Sequence, residues 1–456
     1  MLVLDGTIVN VALPRAQAEL SLSDAGRQWV VTGYALAFGS FLLLGGRVAD
    51  FWGRKRTYLV GLAGFGAASV WGGLAANGSV LLAARGAQGL AAAFLAPAAL
   101  AFVTLAFPDG PDRNRAFAIF GSLAGAGSAA GMLLGGVLTE RLSWRWSLLV
   151  NVPVVLVGLV AGALLLVENR AEGDRRYDLV GGLTATSGFG LLVYGLTLAE
   201  RSWTAPAALA CVAAGLMLLV AFVLVERRTR HPLLPLRVLA DRTRAAAFLV
   251  QALVGAVGLG AMVYVALHLQ LVLRLSPLQA GIGTLPFTAA LMGTVPFAVR
   301  MADRVGPRRQ MVLGPLVSAA GLVLLGGVSA DGTYWAQVLP GLVLMGSGTG
   351  FTVVPLNNLA LHGVATHDAG VASATANATN QLGGSIGLAA LTGLYVVAVG
   401  RSGAGVAAVA AGHRAVFLAG AGIFVAAGVV AWVLLRSDRT GAAPGSAVEL
   451  TSVGRP

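Results

Sequence analysis

Long apolar runs separated by short polar segments recur along the whole chain. A helix needs about 20 apolar residues to cross the hydrocarbon core of a bilayer. By this criterion the pattern predicts an all-α polytopic membrane protein with fourteen spans. The approximate bounds of these spans are 1–20, 29–49, 57–76, 80–106, 116–138, 147–167, 178–198, 206–226, 245–269, 276–299, 310–329, 335–358, 370–397 and 415–435.

Composition excludes a soluble globular protein. The 456 residues are 57% hydrophobic and 11% charged, whereas about 25% of an average soluble chain is charged. The net charge of +12 comes from short basic clusters between the apolar runs, which is typical of membrane anchoring and does not indicate nucleic-acid binding. The single cysteine, Cys211, allows no intramolecular disulfide.

The basic residues also orient the chain. With both termini on one side, that side carries 22 of the 31 Lys and Arg residues and the opposite side carries 8, with Arg85 inside a span. Lys and Arg accumulate in cytoplasmic loops. The sequence therefore predicts a multi-pass protein of a bacterial plasma membrane with both termini in the cytoplasm.

One loop motif occurs twice. "GRVADFWGRKR" (46–56) follows the second span, and "VRMADRVGPRR" (299–309) follows the tenth. Both place a glycine three residues after an aspartate and then a basic cluster, so we assign a conformational role to Asp50, Gly53, Arg54, Lys55, Arg56, Asp303, Gly306 and Arg308. Any tight cytoplasmic loop collects Gly and Arg, but two copies at matching positions indicate a duplicated architecture.

The duplication divides the chain. The prediction is an amino-terminal six-helix bundle over 1–170, two linker helices over 171–230, a carboxyl-terminal six-helix bundle over 231–436 and a disordered cytoplasmic tail over 437–456.

These motifs carry a family resemblance. "GRVADFWGRKR" resembles the loop signature of the major facilitator superfamily. "LDGTIVNVALP" (4–14) and "WRWSLLVNVP" (144–153) resemble signatures of its 14-span drug:proton antiporters, and "RGAQGLAAAFLAP" (85–97) is similar to the fourth-span Arg motif of that family. The resemblance implies two six-helix bundles around a central cavity that work by alternating access.

Asp5 and Arg85 are the residues to which we assign proton coupling. Ionisable residues inside spans are rare and mark functional sites by default, and the resemblance places both spans against the cavity. Burial favours neutral Asp5 and a nearby Arg favours the carboxylate, so a balanced site can gain and lose a proton. The alternative is a static ion pair that only holds helices together.

Uncharged polar residues and one histidine form the candidate substrate cavity. They are Thr7, Asn10, Tyr34, Gln88, Asn151, Gln251, Tyr264, His268, Asn377, Asn380 and Gln381. For each residue taken singly, an interhelical hydrogen bond is the alternative to a substrate contact.

A small-residue ridge runs along the fifth span. Gly127, Gly131 and Gly135 are spaced four apart, which favours close helix packing. The stretch resembles the fifth-span antiporter motif, but Met132 stands where the family has proline. This departure weakens the case for antiport, and packing explains the glycines equally well.

The leading hypothesis is a proton-coupled exporter of small hydrophobic or amphipathic compounds such as antibiotics. The alternative is a superfamily importer or facilitator of a polar solute. No H-E-x-x-H and no paired carboxylates occur in the predicted spans, which argues against an enzyme. The span 276–299 contains no acid, which disfavours dications as substrates.

We expect no cofactor and no metal, the proton gradient as the energy source, the bilayer as surroundings and a monomer. Only four residues precede Asp5. Either the true start lies upstream, or the first span consists of residues 1–20 and continues past Pro14. Arg15 and Glu19 are unfavourable in contact with lipid, so we expect the first alternative: a truncated first span that leaves Asp5 near the cytoplasmic rim and less shielded than in a complete protein.

Overall fold

The fold is helical throughout the described part of the chain. The computed structural model describes residues 1–107, 111–169, 178–199, 205–229, 240–360, 364 and 369–435. The helices are α1 (Leu2–Glu19), α2 (Asp24–Trp52), α3 (Arg54–Gly73), α4 (Gly78–Ala106), α5 (Pro111–Arg141), α6 (Trp146–Leu149), α7 (Asn151–Leu165), α8 (Leu179–Ala199), α9 (Pro206–Arg228), α10 (Arg242–Leu267), α11 (Pro277–Val305), α12 (Pro307–Leu325), α13 (Leu339–Ala360), α14 (Ala369–Ser402) and α15 (Val406–Leu434). Two π-helical turns, His268–Val272 and Tyr334–Val338, follow α10 and precede α13.

Side-chain caps fix several helix starts. The Ser23 hydroxyl accepts from the backbone N–H of Gly26 before α2. The Asn77 and Asp241 side chains begin α4 and α10 in the same way. Each cap satisfies one of the first backbone donors of a helix, which matters more where no water reaches the backbone.

The prediction of an all-α membrane protein is confirmed. Among the described residues, eight helical segments are long and apolar enough to cross a bilayer, and Val180–Leu196 is a shorter apolar helix. The count of fourteen spans stays a prediction.

Helices of the two halves pack in the same order. In the amino-terminal half, α1 packs on α5, α2 on α4, and α3 on both α4 and α7. In the carboxyl-terminal half, α10 packs on α14, α11 on α13, and α12 on both α13 and α15. Between the halves in sequence, α8 and α9 pack against each other, and α8 contacts α2 and α14. The domain boundaries stay predictions, because 170–177, 230–239 and the tail lie outside the described residues.

The two halves meet along α2–α14 and α5–α11. A Cβ added at Gly39 of α2 would lie 3.0 Å from the Gln381 Cβ of α14. A Cβ added at Gly136 of α5 would lie 2.6 Å from the Leu278 Cα of α11. Glu140 near the end of α5 also accepts from the backbone N–H of Leu278 at 3.2 Å. We call the membrane side at which α1 ends and α2 begins the distal side; these contacts run from the middle of the helices to that side.

The polar end of α1 is hydrogen-bonded to protein, although Arg15 and Glu19 remain exposed. The Arg15 guanidinium donates to the Thr139 carbonyl at 2.6 Å, and Glu19 accepts from the Trp144 indole at 2.8 Å and from Arg145. These partners allow α1 to continue through Pro14 to Glu19. The objection that Arg15 and Glu19 are unsuited to this helix is therefore removed.

Candidate functional site

Asp5 lies at the centre of a buried polar network. Its side chain is 0% exposed. The Arg85 guanidinium donates to Oδ2 at 2.6 Å and the Asn151 amide donates to Oδ1 at 2.7 Å, while the Gln88 amide lies 3.4 Å from Oδ1. The expectation that Asp5 is poorly shielded is therefore wrong, because α4 and α7 place donors over both of its oxygens; its position near the cytoplasmic rim stays a prediction.

Arg85 has further partners that remain if Asp5 changes. Its Nε donates to the Val30 carbonyl of α2 at 3.0 Å, and its NH1 donates to Gln88 Oε1 at 2.8 Å. The guanidinium carbon lies 4.4 Å from the centroid of the Tyr34 ring, a cation–π geometry. A buried charge is tolerated only when it is paired and hydrogen-bonded, and α1, α2 and α4 together meet that requirement.

A second layer positions Gln88. Its amide donates to the Ser69 hydroxyl at 2.8 Å, and that hydroxyl donates to the Phe65 carbonyl of α3 at 2.8 Å. Sequence reasoning missed Ser69, since a single serine in a glycine- and alanine-rich helix carries no signal. The network thus joins side chains or carbonyls of α1, α2, α3, α4 and α7.

A small cavity lies beside Arg85 on the distal side of Asp5. Its walls are mostly apolar and include Val9, Leu13 and Trp144. It has room for about one water molecule.

The predicted cavity residues separate into groups. Tyr34, Gln88 and Asn151 join the Asp5–Arg85 network, whereas Tyr264 and His268 lie together in the carboxyl-terminal half. Asn380 and Gln381 lie where α14 packs against α10 and α2, and Thr7 packs against Gly131. Asn10 and Gln251 are half-buried and Asn377 is exposed. The assignment of these residues to a substrate cavity stays a prediction.

The first loop motif binds the end of the sixth span of its half. Gly53, at φ 120°, separates α2 from α3. The backbone N–H groups of Lys55 and Arg56 donate to the Glu168 carboxylate at 3.1 and 3.3 Å, and Lys55 Nζ donates to the Ala163 carbonyl. The side chains of Asp50 and Asp303 lie outside the described residues, so the conformational role of the two motif aspartates stays a prediction.

The second loop motif binds the equivalent helix. Gly306, at φ 82°, precedes α12. Arg308 donates to the Trp432 carbonyl near the end of α15 at 2.6 Å, and its guanidinium carbon lies 4.4 Å from the Trp432 ring centroid. Arg54 of the first copy has an analogous contact at 3.4 Å with Asn169. Both loops therefore fasten the third helix of a half to the last helix of that half.

The glycine ridge of α5 faces α1. A Cβ at Gly127 would make only ordinary contact with Leu4, at 3.7 Å. One at Gly131 would lie 2.7 Å from the Leu4 carbonyl oxygen, and one at Gly135 would lie 2.8 Å from that of Ile8. Any larger residue at the last two positions would force the helices apart.

Met132 lies on the other face of α5. Its sulfur accepts from the Thr284 hydroxyl of α11 at 3.1 Å. The residue at which the motif departs from the family pattern is thus part of the contact between the halves.

The comparison with family models decides the relationship. The model of the Major Facilitator Superfamily matches residues 1–179 and 179–388. The chain belongs to the Major Facilitator Superfamily. The resemblance found in the motifs is thereby confirmed, and the superfamily consists of membrane transporters.

Relatives match almost the whole chain. The puromycin resistance protein pur8 of Streptomyces alboniger is 41% identical over 459 residues, which cover 97% of this chain and 91% of the relative. The cephamycin export protein CmcT of Amycolatopsis lactamdurans is 39% identical over 411 residues, covering 88% and 84%. The tetracenomycin C resistance and export protein of Streptomyces glaucescens is 33% identical, covering 88% and 74%.

Solved structures share the fold. The peptide transporter POT in complex with sulfate matches with a TM-score of 0.66 and 14% identity, over 94% of this chain and 90% of that one. The nucleoside transporter NupG matches with a TM-score of 0.64 and 12% identity, over 95% and 96%. At these identities the likeness concerns the fold of a superfamily transporter and not the substrate.

Proposed function

We propose that this superfamily member is a proton-coupled exporter of small hydrophobic or amphipathic compounds, antibiotics among them. The observation that carries the proposal is the fully buried Asp5 carboxylate, 2.6 Å from Arg85, in a chain whose near full-length relatives are named for resistance to antibiotics or for their export. Intramembrane acids are characteristic of proton pathways.

Proton exchange at Asp5 would change the network in a definite way. A proton on Asp5 removes its negative charge and turns one acceptor oxygen into a donor. Arg85 can then keep its bonds to the Val30 carbonyl and to Gln88, so the guanidinium is not left without partners. The interaction energy of the Asp5–Arg85 pair thus depends on the protonation of Asp5. The proton gradient can therefore change the arrangement of α1 and α4.

The predicted orientation of the chain identifies which side of the membrane the distal side faces. With the termini in the cytoplasm, as the distribution of Lys and Arg predicts, the distal side faces outwards. Contacts between the halves at Gly136–Leu278 and Glu140–Leu278 then lie on the outer side. The proposed cycle takes substrate from the cytoplasm or inner leaflet, breaks these contacts and releases substrate outside while Asp5 receives a proton.

The proposed substrate class follows from the small number of charged residues inside the predicted spans. The span 276–299 carries no acid, so the site does not suit a dication. Neutral or singly charged amphipathic compounds need few fixed charges and tolerate uncharged polar groups such as the Tyr34 hydroxyl and the Asn10 carbonyl, which have no hydrogen-bond partner in the described structure. Import or facilitated diffusion of a polar solute is the second candidate.

The test is an efflux and resistance panel in a drug-sensitive bacterial host. Wild type should raise resistance to several lipophilic antibiotics and expel a lipophilic cationic dye, and a protonophore should stop the expulsion. Asp5→Asn should abolish gradient-driven efflux at equal expression. Asp331→Asn makes the same chemical change at an exposed residue and should transport normally.

Two outcomes would refute the proposal. Gradient-driven efflux by Asp5→Asn at the wild-type rate excludes Asp5 as the coupling site. Dye efflux that ignores the protonophore, or accumulation of a polar solute in its place, favours the second candidate.

A further inference from the structure

A second buried titratable pair lies in the carboxyl-terminal half. His268 opens the π-helical turn after α10, and His413 lies near the start of α15. Their side chains are 1% and 0% exposed, and their Nδ1 atoms lie 3.2 Å apart. Two imidazole nitrogens at this distance form a hydrogen bond only if one carries a proton and the other does not. Sequence reasoning considered His268 alone and missed His413.

The outer nitrogens of the pair are unused. Nε2 of His268 and Nε2 of His413 are both buried, and neither has a hydrogen-bond partner in the described structure. When the pair is neutral, one of these Nε2 atoms carries a proton and the other does not. The Nε2 without a proton can therefore bind an additional one. Buried polar atoms normally have partners, and their absence here points to a group that exchanges protons in another state of the protein.

The pair is connected to the amino-terminal half through an aromatic stack. The Tyr395 ring of α14 stacks on His413 with centroids 5.5 Å apart at 22°. The guanidinium carbon of Arg27, from α2, lies 5.8 Å from the Tyr395 ring centroid. Arg27 is itself buried, 3% exposed. The sequence Arg27–Tyr395–His413–His268 therefore crosses between the halves near the distal side.

A residue of the same π-helical turn also contacts α1. Gln270, two residues after His268, donates to the Val11 carbonyl of α1 at 3.1 Å. Single π-helical turns often lie at functional sites. A change in the turn at His268 thus reaches α1 as well as α2.

The charged and titratable groups around the pair lie on α2, α10, α14 and α15. Tyr264 of α10 and Tyr395 of α14 contact the His413 ring, and the Tyr264 hydroxyl donates to Thr392 at 2.9 Å. From α2, Arg27 lies beyond Tyr395 and forms an ion pair with Asp24 at 2.9 Å. Arg414, on α15, is exposed. Among the described residues no carboxylate bonds to either imidazole.

We propose that His268 and His413 form a second proton-binding site, loaded from the distal side, whose protonation opens the contact between the two halves on that side. The proposal rests on the alternating-access part of the proposed function. An additional proton makes an imidazolium that is buried, faces another imidazole and, among the described residues, has no carboxylate bonded to either ring; the nearest charges are the Arg27–Asp24 ion pair beyond Tyr395. That charge is unfavourable while the distal side is closed and favourable once water reaches it.

The direction of the pH effect follows. Protons bind the open state better than the closed state, so they shift the population towards the open state. Acidification therefore opens the distal side. With that side facing outwards, the compartment from which protons enter is the one that favours release of substrate.

The experiment measures distal opening directly. Spin labels at Leu142 and Ser402, both exposed at distal ends of the two halves, would be introduced in a Cys211→Ala background. Electron–electron distances in lipid nanodiscs would be recorded from pH 8 to pH 5, with no substrate and no gradient. Wild type should show a growing long-distance population as the pH falls, with a sigmoidal midpoint.

Three variants separate the explanations. His268→Gln/His413→Gln should lose most of the pH response, whereas His231→Gln, a histidine of the predicted cytoplasmic loop, should keep it. Asp5→Asn removes the titration of the first site and should keep a pH response that depends on the histidines, whatever fraction of the protein is open at pH 8. A response that disappears with Asp5→Asn would overturn the proposal and assign the effect to the first site.

Arg27→Gln keeps both histidines, so it tests the proposal even if the double variant does not fold. The separation of Arg27 from His413 is at most about 11 Å, from the 5.8 and 5.5 Å steps through Tyr395. At an effective dielectric constant of ~20, removing this repulsion should move the midpoint to higher pH by about one unit. A flat wild-type profile, a double variant with the wild-type profile, or an Arg27→Gln midpoint that stays or moves to lower pH would each overturn the proposal. The assay contains no substrate, so its result does not depend on whether the protein exports the proposed compounds.

Discussion

The Asp5–Arg85 pair offers a quantitative test of how the site is held together. In the structure, donors point at both carboxylate oxygens: Arg85 at Oδ2 and Asn151 at Oδ1. Asp5→Asn leaves a single acceptor oxygen and turns an NH₂ group towards one of those donors. The Arg85 charge remains buried and loses its counter-ion. Removing one partner of a buried ion pair costs about 3–5 kcal/mol, and we expect that loss in the free energy of unfolding.

The double variant shows whether this cost is a property of the pair. Arg85→Gln should also destabilise the protein by several kcal/mol, since it leaves the buried carboxylate without its cation. Asp5→Asn/Arg85→Gln removes both charges, and the two amides can bond to each other. The double variant should therefore be more stable than the sum of the single effects predicts, by roughly 3 kcal/mol of coupling.

The assay is unfolding in mixed micelles by titration with a denaturing detergent, followed by circular dichroism. Asp331→Asn, at an exposed position, is the matched control and should change stability by less than about 0.5 kcal/mol. Single effects that add to within about 0.5 kcal/mol would refute the reasoning, because they would mean that the two side chains do not depend on each other.

Three further predictions concern the scaffold. Glu168→Gln should lower the free energy of unfolding by about 1 kcal/mol and slow transport, since the carboxylate holds two first-turn N–H groups of α3; an unchanged thermal midpoint would contradict this. Gly135→Ala should impair folding or transport while Gly127→Ala is tolerated, because only the first places a Cβ within 3 Å of the α1 backbone; equal expression and efflux of the two variants would count against close α1–α5 packing. Ser276 and the Leu278 N–H hold the pKa of Glu140 below its ordinary value, so this bond between the halves exists above that lowered pKa and is lost only as the pH falls through it. Glu140→Gln should therefore keep a pH response of the label distances between pH 5 and pH 8, and loss of that response would assign the titration to Glu140.

The sequence alone determined the class of protein and the principal pair of charges. Apolar runs of bilayer length can be stable only as membrane helices that satisfy their own backbone bonds. A carboxylate at position 5 and a guanidinium at position 85 each need a partner inside apolar spans. Because their charges are opposite, the sequence predicted that Asp5 and Arg85 lie close together. The repeated loop motif indicated the duplication, and both copies fasten equivalent helices in the structure.

Other parts of the site depended on tertiary contacts that no local pattern encodes. Ser69, Glu168 and His413 are each unremarkable in sequence. Glu168 lies 113 residues from Lys55, and His413 lies 145 residues from His268. Helical periodicity says which face of a helix is apolar, but not which neighbour that face meets or how far the helix is rotated.

The same limit explains the error at the start of the chain. Asp5 is shielded because α3, α4 and α7 bring Ser69, Gln88 and Asn151 around it, and the number of residues that precede it does not determine that. Which groups can carry charge follows from the sequence, since charge belongs to the residue. Tertiary structure decided which charges are paired and sealed from water, because burial belongs to the packing of helices that lie far apart in the chain.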